Sequence, residues 1–154
     1  MVSAHIHAYI HHMSVFTDIL RGAVLATFIV LPAQAGDHVK SSDSFERIIE
    51  AQIAAFTRDD GMAAFRLASP DIQRMFDSPE HFMRMVRSSF KPVYRPQSYR
   101  FEKSLLVDGQ HAQPVSIIGP DGRGVIALYR MQEQSDGSWR IAGVTLHPVN
   151  ERGI

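Results

Sequence analysis

Hydrophobic and polar positions follow two different periods along this chain, and the change falls near Pro96. Before it, Phe45, Ile48, Ile49, Ile53 and Phe56 recur at helical spacing, which puts one apolar face on a helix ending near Arg58. Asp43 and Glu46 have the spacing of a capping box, so that helix is expected to start near Ser44. "DDG" at residues 59–61 breaks it, and a short second helix is expected over residues 62–67. "SPDIQRMF" and "SPEHFMRMVRSSF" each offer a serine cap, a proline at the first helical position and an acid in the first turn. Two further helices therefore start at Ser69 and Ser78.

After Pro96 the residues become β-branched and aromatic, with strands expected over 99–107, 115–118, 125–131 and 139–146. "DGQ", "GPDGRG" and "SDGS" lie between them and suit antiparallel hairpins. The fold class is α+β, with N-terminal helices packed on a four-stranded antiparallel sheet. Alternation puts Tyr99, Phe101, Leu105, Val125, Tyr129, Trp139 and Ile141 on the face toward the helices. The other face would still hold Leu106, Ile118, Ile126, Leu128, Val144 and Leu146. A half-solvated sheet is polar on that side, so either a second copy of the chain or the chain's own termini are expected to cover it.

The first 35 residues read differently. Arg21 precedes the apolar run of residues 23–31, Pro32 follows, and "AQA" ends at Ala35. A basic residue, a short apolar core and a small-residue site describe a secretory signal peptide cleaved after Ala35, leaving one domain over residues 36–154. The run is far shorter than the ~20 residues that span a bilayer, so no stable membrane anchor is expected. Residues 1–12 precede a second candidate start at Met13. The localisation that follows is periplasmic or secreted, and the absence of cysteine excludes a disulfide framework, a zinc–thiolate site and a lipoprotein anchor.

The formal net charge is zero, which argues against a nucleic-acid partner. It conceals a basic segment: residues 74–103 carry seven Lys or Arg against three Asp or Glu. Within it, "SFKPVYRPQSYRF" (89–101) interleaves aromatics with basic residues. That pattern fits an anion site, but Pro92 and Pro96 also force extended backbone and forbid a continued helix, which makes the segment the crossover from the last helix to the first strand. In that plainer reading Phe90 and Tyr94 anchor the crossover while Lys91 and Arg95 face water.

Catalytic motifs are sparse. Asp59 and Asp60 pair two carboxylates, yet Asp60 is explained as the cap of the following helix. Ser88 and Lys91 spell S-x-x-K, but this serine closes a helix where an acylating serine opens one. His81, Met83 and Met85 sit two apart, which on a helix turns them in different directions. No metal site and no cofactor are expected.

"AFTRDDGMAAFRLASPDIQRMF", "HFMRMVRSSFKPVYRPQSYRF" and "ALYRMQEQSDGSWRIAGVTL" together resemble the domain of unknown function 4864 family of bacterial exported proteins. More distantly, the long helix, the Asp before short helices and the closing Trp-Arg-Ile strand resemble the nuclear transport factor 2-like fold. That resemblance implies a curved sheet wrapping helices into a cone, with a pocket in its mouth and dimers through the sheet. Fold alone assigns no activity. The expectation is a non-catalytic domain, a homodimer through the sheet, that binds a small apolar or anionic ligand. Phe56, Tyr94, Tyr129 and Trp139 are the pocket candidates, with Arg87, Arg95 and Arg100 at its rim. Two alternatives are an isomerase or dehydratase using Asp60 or His147 as base and Tyr129 as donor, and a purely structural dimerisation module.

Overall fold

The first helix departs from its expected boundary. The structure, a computed structural model, describes residues 35–149, and helix α1 runs over Ala35–Thr57, well ahead of Ser44. Asp43 therefore lies inside the helix. Capping signals permit a start without compelling one, and no glycine or proline interrupts residues 37–57, so each added residue extends a helix already nucleated. Apart from Ala35, the expected signal peptide lies outside the described residues. Among them, no helix is long and apolar enough to cross a membrane.

The other helical boundaries follow their caps. Asp60 accepts a hydrogen bond from the Ala63 amide and starts α2, Gly61–Arg66. Ser69 and Ser78 accept from the amides of Ile72 and His81 and start α3 (Pro70–Phe76) and α4 (Pro79–Ser89). The proline-rich crossover is not extended throughout, because Lys91–Tyr94 forms one helical turn, α5. Pro92 sits in that first turn, where its missing N–H costs nothing.

Five strands follow, β1 (Ser98–Phe101), β2 (Leu105–Val107), β3 (Gln110–Ile118), β4 (Gly124–Glu133) and β5 (Trp139–Pro148), in one antiparallel sheet. β1 and β2 pair with successive parts of β3, so the expected first strand is split in two. Pro114 explains the split. It has no N–H to offer the edge strand, and the side-chain amide of Gln113 donates to the Glu102 carbonyl instead. The interruption holds one residue more than its partner strand, which shifts the alternation. Leu105 thus pairs with Ala112 on the outer face, while Leu106 pairs with His111, the reverse of the expected order.

A second phase shift occurs in β5. Arg130 pairs with Gly143 but Met131 with Ile141, leaving Ala142 as an extra residue in a bulge. Trp139 and Ile141 face the helices as expected, and beyond the bulge Val144 and Leu146 face them too, not the outer side. The outer face keeps Ile118, Ile126 and Leu128 and gains Leu105, so it holds four of these apolar residues where six were expected.

The core lies between sheet and helices. Phe45, Ile49, Ile53 and Phe56 of α1 meet Phe82, Met83 and Val86 of α4 and Val115, Ile117, Ala127, Tyr129 and Ile141 of the sheet. Side chains of this kind contribute about 1.5–3 kcal/mol each on full burial. The linker between α2 and α3 closes on the edge of β5, with the Ser69 amide donating to the Ile141 carbonyl and the Ile141 amide to that of Leu67. That seam, next to the bulge, places α3 beside the sheet edge.

Candidate functional site

Between α3, α4, α5 and the edge of β5 the packing leaves a cavity of about 260 Å³. Phe56, Ile72, Phe76, Met85, Phe90 and Val144 are among the residues that line it. The serine-capped starts of α3 and α4 bring Ile72, Phe76 and Met85 to one wall, and the β5 bulge turns Val144 toward the other. Met75 also lines the cavity and is 66% exposed, so the mouth opens at α3. Gln52, the buried polar residue of the lining, has its amide nitrogen tied to the Ala64 carbonyl. Ligand pockets are commonly ~300–1,000 Å³ and mainly apolar, so this one suits a small or slender apolar molecule. A groove of about 490 Å³ between α1 and β1 is larger but is lined by exposed Thr57, Arg58, Gln97 and Ser98, and offers little apolar burial.

Arg130 is the charged residue of the cavity lining. Paired with Ala112 and Gly143, it projects from the outer face of the sheet, and its guanidinium lies over Gly143 of the edge strand β5, with Nη2 2.5 Å from the place a Cβ on that glycine would occupy. Any larger residue would displace the arginine. Among the described residues no carboxylate forms an ion pair with Arg130.

The basic crossover behaves in the opposite way. Arg87 reaches Asp59 Oδ1 at 3.0 Å and Arg95 reaches Oδ2 at 2.7 Å, while the Tyr94 hydroxyl donates to Oδ1. Arg95 also donates to the carbonyls of Phe56 and Thr57 at the end of α1, the first of which also accepts from the Asp59 amide. Its guanidinium stacks 4.4 Å from the centre of the Tyr94 ring. Asp59 holds a left-handed φ of 57°, a conformation that aspartate tolerates at the turn. The Tyr94 hydrogen bond first, then Arg87 and Arg95, hold the Asp59 carboxyl below its ordinary value. Arg95 therefore does not face water as expected. The segment is a clasp that fastens α4 and α5 to the end of α1.

The structure thus divides the residues singled out from sequence. Phe56 lines the cavity. Tyr94, Arg87 and Arg95 come together, around Asp59. Arg100 lies apart in β1 and pairs with Glu102 at 2.8 Å. Tyr129 is fully buried in the core, its hydroxyl without a partner among the described residues and its pKa raised by burial. Trp139 packs edge-on against Phe45 and His111, away from the cavity. Asp60 caps α2 in the open, and His147 is exposed on the outer face opposite Ile126, so neither has the apolar enclosure that an acid–base role requires. Among the described residues no group of three His, Cys, Asp or Glu could hold a metal ion. Sequence reasoning missed Ile72, Phe76, Met85, Phe90, Val144 and Arg130. The first two ride on one short helix with little periodicity, and Val144 depends on the bulge.

Fold and site together define a small α+β domain, helices on an open antiparallel sheet, with an apolar cavity at the sheet edge. The chain belongs to the family described as a domain of unknown function (DUF4864), whose model matches residues 39–154. No curated protein and no solved structure matches it.

Proposed function

We propose that this chain is an exported binding domain without chemistry of its own, which holds a small apolar ligand in the cavity beside β5. The observation that carries the reading is the cavity itself, an apolar chamber opening past Met75 with no acid–base pair in its wall. Burying a methylene there contributes ~0.8 kcal/mol, so even a short chain gains useful affinity. Export is supported by the pattern of residues 13–35, with a cut after Ala35 and a periplasmic or secreted destination. The helices lying on one face of the sheet are consistent with a nuclear transport factor 2-like cone.

A second copy is proposed on the outer face of the sheet. Leu105 and Ile118 are 44% and 39% exposed there, beside Ile126 and Leu128. Exposed aliphatic residues in one patch favour association over solvation.

Native mass spectrometry of the protein recovered from the periplasm of a bacterium expressing the full chain tests these points together. The expected result is a dimer of chains beginning at Gly36 that releases one small molecule per chain on unfolding. A bare, full-length monomer would overturn the reading.

A further inference from the structure

We propose that the ligand is an amphipathic monocarboxylate, its tail in the cavity and its carboxylate on Arg130; the inference rests on the binding reading above. The lining sets the tail. Aromatic and aliphatic side chains surround a space of about 260 Å³, room for about eight water-sized groups of ~30 Å³ each. A flexible chain of roughly that many carbons fills it, whereas a bulky ring system does not.

Arg130 sets the head group. It is the charged residue of the lining, it is exposed, and among the described residues no carboxylate is paired with it. A guanidinium presents two parallel donors that match a carboxylate. One cation suits one negative charge, because a dianionic phosphate would leave half its charge uncompensated at this mouth. The other arginines of the basic segment that were candidates for this role are occupied, Arg87 and Arg95 by Asp59 and Arg100 by Glu102.

Gly143 sets the position of the arginine. A Cβ there would stand 2.5 Å from Nη2 and 3.2 Å from Nε and Cζ of Arg130. Alanine would push the guanidinium off the strand while leaving the charge in place. Gly143 has no left-handed φ, so alanine brings no backbone strain.

Calorimetric titration with decanoate, 1-decanol and decyltrimethylammonium, each below its aggregation concentration, tests the assignment. The protein is purified from a bacterium expressing the full chain and stripped of bound ligand. Wild type is expected to bind decanoate about tenfold more tightly than decanol, and the ammonium weakest. Arg130→Gln brings the affinity for decanoate down to that for decanol. Gly143→Ala reduces the preference severalfold with the charge still present. Equal binding of decanoate and decanol by wild type, or an unchanged preference in Arg130→Gln, overturns the head-group assignment and leaves the cavity reading standing. Failure of all three probes to bind overturns both.

Discussion

Two arginine settings lie on the same domain and differ in what faces them. Arg87 and Arg95 belong to a run of basic and aromatic residues that looks like an anion site in sequence, and the fold supplies the anion itself, Asp59. Arg130 stands on a β-strand, draws no notice in the sequence, and among the described residues has no carboxylate paired with it. The difference shows that local density of positive charge is a poor guide to a binding surface. What counts is whether the chain's own acids reach the cation. Phe56 joins the two settings, since its carbonyl accepts from Arg95 and it also lines the cavity.

Removing that ring separates them with the largest effect. Phe56→Ala is expected to cost about 3–5 kcal/mol in urea unfolding, because the ring is buried and a new void joins the cavity. The backbone carbonyl that Arg95 uses is untouched. A loss below ~1 kcal/mol would mean that the cavity wall collapses around the gap.

The two adjacent aspartates give the next test. Asp60→Ala removes the α2 cap and is expected to cost about 1 kcal/mol. Asp59→Asn instead removes a charge held by two arginines and a tyrosine, and its cost depends on pH. Because the folded state lowers the Asp59 pKa from 3.8, its stabilisation is complete above that value and disappears as pH falls through the lower folded one. The difference in Tm between wild type and Asp59→Asn should therefore be present at pH 6 and close below pH 3.8. A gap of equal size at pH 3 and pH 6 would show that the clasp works through shape alone. Glu102 and Asp136, whose carboxyls are also held low by Ser116 and Ser138 first, titrate in both proteins and cancel in the comparison.

The clasp and the cavity were unequally legible in sequence. Serine-proline pairs fixed the starts of α3 and α4 because cap chemistry is local, and the turn before β4 followed from Gly and Asp. The phase of the strands was not legible, since one inserted residue reverses every later side chain. Pro114 was the available signal for the first interruption, for a proline inside a strand must leave a neighbour without a donor. The β5 bulge had only Gly143 to mark it, and the reason for that glycine lies on another strand, in Arg130. The role of Asp59 is hidden from the sequence for a related reason: its partners lie 28 to 36 residues away, beyond the reach of any local pattern.

The smallest effect makes the comparison sharpest, since the same substitution enters both settings. Arg95→Gln loses bonds to two helix-end carbonyls and to Asp59, and should lower Tm by about 4 °C. Arg130→Gln loses no ion pair among the described residues, and its stability should stay within ~0.5 kcal/mol of wild type. Gln keeps some donor capacity at each site, so the contrast reports charge and reach more than hydrogen bonding in general. If both variants lose the same stability, Arg130 has an internal role and its charge is not held ready for a ligand. If neither loses any, the clasp contributes only orientation, and α5 should then exchange its amides faster in Arg95→Gln while the melting point stays fixed.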